Sequence, residues 1–244
     1  MINYKKLFCY LFLIGVWTIV YYLVDNPIIL PSILDVAKRI YSLFRRGEIY
    51  SPLFISLGRI FIAILGSIIL GTILSYLSYL YGLMDFFSPI FSIVKSTPVV
   101  SMVLIILFFS NKSYLSGIIV FLITTPIIYE NILNGLNSLD SKKLDFMRIY
   151  PLNALRLFRY IHLPIIIERI LFSMVLAIGI AVKAAVTSEV IGGSSRGLGN
   201  LLYLSKISFE MVDLLSITII IVVSSYIIEE FFRIIHEKWV EKDD

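Results

Sequence analysis

The sequence predicts an all-α polytopic membrane protein with about six transmembrane helices, and three observations predict it. Apolar residues fill 59% of the 244 positions and charged residues 16%, whereas soluble domains carry roughly 45 to 50% and about 25%. Mean hydropathy is +0.93. Apolar runs near the roughly 20 residues that a helix needs to cross a hydrocarbon core of about 30 Å recur along the chain, so its apolar surface can face lipid. The chain reads as a single transmembrane domain over 1–244.

Six spans can be placed, at approximately 7 to 24, 58 to 82, 96 to 110, 115 to 134, 166 to 188 and 212 to 233. The first stays as a helix, because Trp17, Tyr21 and Tyr22 stand where a signal peptide needs small residues for cleavage. The third is short but follows the apolar stretch Phe86 through Val94, with Lys95 and Pro98 between the pieces. A broken helix of this kind requires protein or a water-filled cavity to satisfy the interrupted backbone. Gly66, Gly71, Ser67, Ser75 and Gly179 read as close helix packing before pore lining.

Between the first two spans, LPSILDVAKRIYSLFRRG sets Ile33, Val36, Ala37, Ile40, Leu43 and Phe44 on one face and Lys38, Arg39, Arg45 and Arg46 largely elsewhere. This predicts an interfacial amphipathic helix after Pro31, with Ser32 as N-cap. The net charge of +4 fits loop charges under the positive-inside rule rather than nucleic-acid binding. Lys5, Lys6, Lys142, Lys143, Arg148, Arg156, Arg159, Arg233, Lys238 and Lys242 share one side, which predicts cytoplasmic N- and C-termini.

One polar, basic interruption stands out at about 140–164, centred on DFMRIYPLNALRLFRYIHLP. Asp140 can cap a first short helix that Pro151 breaks, and Pro164 starts the next span. In the second helix Leu152, Leu155, Phe158 and Ile161 recur every three residues, while Asn153, Arg156, Arg159 and Tyr160 face away. Two short amphipathic helices meeting at a turn would make a rigid knob that fills a partner's groove. A solvated basic loop that only signals topology is the other reading.

The segment resembles the cytoplasmic loop of binding-protein-dependent ABC importer permeases, whose pattern is E-A-A, three residues, G, nine residues, I-x-L-P. Asp145 takes the acidic position, and Ile161, Leu163 and Pro164 match the end with every spacing kept; Phe146 and Met147 replace the alanines and Pro151 the glycine. Nearly the whole chain is similar, in order and spacing, to the sulfonate, nitrate and taurine branch, through LPSILDVAKRIYSLF, SLGRIFIAILGSIILG, STPVVSMVLIILFF and SEVIGGSSRGLGNLLY. The resemblance implies a type I ABC importer permease fold in a bacterial inner membrane. It implies a homodimer of permeases, two ATP-binding subunits and an extracytoplasmic substrate-binding protein as partners. It assigns ATPase coupling to Asp145, Arg148, Pro151, Leu152, Leu155, Arg156, Phe158, Arg159, Ile161, Leu163 and Pro164, and His162 is expected on that surface. The translocation path is expected at Lys95, Thr97, Pro98, Ser101, Lys183 and Glu189. Such permeases carry small anions and also heterocyclic vitamin precursors.

Chemistry and cofactors are not expected. Gly192 to Gly197 is followed by Leu198 rather than the lysine a phosphate-binding loop needs, so it reads as a flexible outer turn. Ser92 and Lys95 satisfy S-x-x-K without companion elements, and His162, His236 and the single Cys9 offer no metal spacing. Lys95, Glu130, Lys183 and Glu189 lie at membrane depth, where a charge costs at least ~2.5 kcal/mol and marks a pathway or a pair. Lys183 is the best candidate for burial among them, and it would meet an anionic substrate or pair with Glu189 or Glu130. An ion-coupled secondary transporter should show internal repeats and paired broken helices, and an intramembrane enzyme a convergent set of reactive groups; the sequence has one broken span and no repeat.

Overall fold

The computed structural model describes residues 4–139, 153–194 and 196–243, and all regular structure among them is helical. The elements are α1 (Tyr4–Val24), α2 (Ile33–Arg45), α3 (Tyr50–Tyr81), α4 (Met84–Ser96), α5 (Val99–Leu107), α6 (Lys112–Asn137), α7 (Ala154–Leu157), a π turn (Phe158–His162), α8 (Leu163–Ile191), α9 (Leu198–Ile207) and α10 (Met211–Asp243). Four helical segments are long and apolar enough to cross a membrane, a bent pair makes a fifth, and the apolar stretch of α1, Leu11–Val24, is shorter. That set is compatible with the six expected spans.

The bundle is built on α3, α6, α8 and α10, with α6 packed between α3 and α8. Lipid gives no hydrophobic drive for helices to associate, so they meet through small residues and interhelical hydrogen bonds. One face of α3 supplies both. Ser67, Gly71, Ser75 and Ser78 are buried there, and a Cβ on Gly71 would lie 3.0 Å from Ile128 Cγ2. The Ser67 hydroxyl donates to the Phe121 carbonyl at 3.1 Å and accepts from Thr124 at 2.7 Å, and the Tyr129 hydroxyl donates to Ser78 at 3.0 Å. Opposite, Met174, Ile178, Ala181 and Ala185 of α8 close the same core.

Ser32 caps α2 as expected, accepting from the Asp35 amide at 3.1 Å while its hydroxyl donates to the Asp35 carboxylate. Val36 and Leu43 are buried, but Ala37 and Phe44 are exposed, so the inward face is narrower than the sequence pattern. Arg39 belongs to that face rather than to the polar one. Its guanidinium forks onto Asp213 at the start of α10, at 2.6 and 2.7 Å. The hydrogen bond to Asp213 holds its pKa above the ordinary arginine value.

Helices α4 and α5 meet at 96°. The break falls at Thr97 and Pro98 rather than at Lys95, which sits in the last turn of α4. Pro98 has no N–H to continue the ladder, and the Thr97 hydroxyl and amide both return to the Ile93 carbonyl. Pro164 stands in the first turn of α8, as expected, but no break precedes it. From Ala154 to Ile191 the helix is continuous, and the missing Pro164 donor is absorbed by the π turn, where the Leu163 amide reaches back to the Phe158 carbonyl.

Candidate translocation path and coupling surface

The expected coupling residues Asp145, Arg148, Pro151 and Leu152, with Asp140, lie outside the described residues. The remainder lie in α7, the π turn and the first turn of α8. Asn153 caps α7, its side chain accepting from the Arg156 amide at 2.9 Å. Leu155 is 75% exposed, and Arg156, Arg159 and Tyr160 are exposed beside it. Phe158 turns inward and meets the Tyr76 ring edge-on at 5.3 Å; Ile161, Leu163 and Pro164 are partly buried. The face expected to be uniformly apolar is therefore divided between an exposed leucine and an anchored phenylalanine.

His162 is not on this surface. It is 2% exposed, lies edge-on to the rings of Tyr76 and Tyr79, and shares a hydrogen bond with the Tyr76 hydroxyl at 3.2 Å. The alternation of apolar and polar positions cannot foresee this, because the π turn adds a residue to the helical repeat and rotates His162 into the bundle.

At the helix break, Lys95 places its ammonium 2.6 and 2.7 Å from the Glu130 carboxylate oxygens of α6. Both side chains keep about two fifths of their surface open, at 44% and 38%. Pro98 and Ser101 are exposed and Thr97 is partly so. Met102 and Val103 of α5 share a buried cluster with Ala184 of α8. Lys183, expected to be the most buried of the ionisable groups, is exposed on the surface of the single chain. It lies about 12 Å along the axis from the Ile191 end of α8. Neither expected partner is available to it, since Glu130 holds Lys95 and Glu189 holds Arg59.

Glu189 departs furthest from expectation. Its side chain is 1% exposed, which removes it from any path along the surface of this chain. The carboxylate accepts from Ser56 at 2.8 Å, from Arg59 at 3.0 Å and from the Gly199 amide at 2.9 Å. Nor is the Gly192 to Gly197 segment a loose turn, because Arg59 also donates to the Ser194 hydroxyl and the Arg196 carbonyl. The ionisable residue of this cluster that sequence reasoning missed is Arg59. A charge just inside an expected span was the available signal.

The long apolar helices and, among the described residues, one broken span define a polytopic helical membrane protein. In fold the chain is similar to the permease in inward-facing conformations of the MetNI methionine ABC transporter, native crystal form (TM-score 0.64, 15% identity, covering 77% of this chain and 94% of that one). It is similarly close to an amino acid ABC transporter crystallised with histidines (TM-score 0.62, 14% identity, 77% and 92%). No curated protein sequence matches. Residues 63–241 match the family described as binding-protein-dependent transport system inner membrane component, and the chain belongs to that family. It is thus a non-enzymatic, multi-pass permease component of an ABC importer, a family that acts with ATP-binding subunits and a substrate-binding protein.

Proposed function

We propose that this permease moves a small anion such as a sulfonate, nitrate or taurine, as the branch resemblance implies. The observation that carries the reading is Lys183, an exposed ammonium at membrane depth whose expected carboxylate partners are both held by other cations. A charge there is tolerated where it faces a second chain or water rather than lipid, so the α8 face bearing it would line a path between two copies of the permease. Thr97, Pro98 and Ser101 at the bend, and Lys95 beside Glu130, would extend that path. The carboxylate of an amino acid, the cargo class of the methionine and amino acid transporters of similar fold, would satisfy the same lysine; a neutral vitamin precursor would not. The assembly would be a homodimer of single-domain permeases with two ATP-binding subunits. The termini would be cytoplasmic, with the segment at about 140–164 as the coupling loop.

Lys183→Met tests the cargo. The complex should still assemble, uptake of radiolabelled taurine or nitrate should fall at least about tenfold, and Lys183→Arg should restore part of it. A tenfold loss corresponds to ~1.4 kcal/mol of lost interaction. Wild-type uptake of these anions by Lys183→Met would reject the anion-binding role.

A further inference from the structure

The family membership accounts for the path and the coupling loop, but not for the buried charge at the opposite end of the bundle. Glu189 lies in the last turn of α8, Ser56 and Arg59 lie in the second and third turns of α3, and Arg196 and the start of α9 bond to them. Removing a carboxylate from water costs several kcal/mol unless donors replace its hydration. Here the donors are arranged to fix a backbone. Helix α9 begins at Leu198 with no side-chain cap of its own. Its first two amides are satisfied by other helices: Leu198 N–H by the Ser56 hydroxyl at 2.8 Å and Gly199 N–H by Glu189 Oε2 at 2.9 Å. The negative charge therefore sits where the α9 dipole favours it.

Steric fit points the same way. Gly197 takes φ +121°, and a Cβ there would fall 2.5 Å from Glu189 Oε2. A Cβ on Gly199 would collide with Glu189 Cβ and the Val186 carbonyl. Only glycine fits at either position, Gly197 against the carboxylate and Gly199 against the backbone of α8. Arg59 completes the arrangement, bonding to Glu189, to the Ser194 hydroxyl and to the Arg196 carbonyl through one nitrogen.

We infer that Glu189 is the positioning residue of this end of the permease: with Arg59 and Ser56 it locks Ser194, Arg196 and the start of α9 onto α3 and α8. The three helices must then move as one body whenever this end opens or closes. Helix α9 is too short to span a bilayer and packs on both α8 and α10, so it adds a second link between the α3–α8 unit and α10 beside their direct contact. The inference rests on ABC importer membership and not on the nature of the cargo.

The test uses the full complex in lipid nanodiscs, with ATPase subunits and the substrate-binding protein added as purified. Arg196 is exposed, so tryptic cleavage after it, followed by mass spectrometry, reports release of the loop locally. In Glu189→Gln an amide N–H replaces one acceptor among donors. Cleavage after Arg196 should accelerate about tenfold, basal ATP hydrolysis should persist, and stimulation by the binding protein should be lost; tenfold is the factor expected for ~1.4 kcal/mol of lost anchoring. Ser56→Ala, which removes a single hydroxyl, should shift both readings in the same direction by a smaller factor, and it carries the test if Glu189→Gln fails to assemble. Wild-type cleavage in either assembled variant would overturn the anchoring. Faster cleavage with full stimulation would overturn the requirement for a locked α9. Neither outcome depends on Lys183, so the anion proposal can fail separately.

Discussion

At the residue scale, legibility followed distance along the chain. The Ser32 cap was readable because its partner, the Asp35 amide, lies three residues away and the geometry is set by one helical turn. Ser32→Ala should cost about 1 kcal/mol. Hydrogen exchange in the first turn of α2 should then quicken roughly fivefold, with no change in α6; unchanged exchange at Asp35 would show that the cap contributes nothing. The partners of the ionisable residues were not readable. Burial cost reveals that Lys95, Lys183 and Glu189 need compensation, but not by whom. Arg59 and Glu189 are 130 positions apart, and which helix faces which depends on the small-residue surface of α3. Lys183 was expected to be buried because a lysine in an apolar run is normally hidden from lipid; a second chain or water satisfies the same requirement.

At the element scale, periodicity predicted helices well where they are straight. It failed where proline or glycine alters the repeat. Pro98 produced the expected break, whereas Pro164 produced a π turn within a continuous helix, since one missing donor can be absorbed by widening a turn when the helix is held on both sides. Helix α9 was missed because a run of glycines reads as a turn, and the cap that starts this helix comes from α3 and α8. The short α7 exposes Leu155, Arg156, Arg159 and Tyr160 while Phe158 anchors it to Tyr76, an arrangement suited to presenting a fixed apolar tip amid positive charge. Leu155→Asp should abolish co-purification with the ATP-binding subunit and leave membrane insertion intact. Retention of the subunit at wild-type stoichiometry would place the docking surface elsewhere.

At the scale of the whole molecule, composition and span length were enough for the fold class, because a bilayer leaves a single chain of this apolar content little choice but helices. The arrangement of those helices required side-chain detail that hydropathy averages away. Orientation is open to direct test: in a Cys9→Ser background, cysteine at Arg46 should react with an impermeant maleimide in intact cells and cysteine at Glu241 only after permeabilisation. The reverse pattern would invert the proposed topology. The carboxylate enclosed by Gly197 and Gly199 also bears on how such a chain can diverge. A shorter residue at 189 would relieve the clash at Gly197 but not its positive φ, and it would not free Gly199, whose Cβ would still meet the Val186 carbonyl. The two glycines are therefore held by backbone geometry and Glu189 by its donors, so this end of the chain has little room to diverge at any of the three positions.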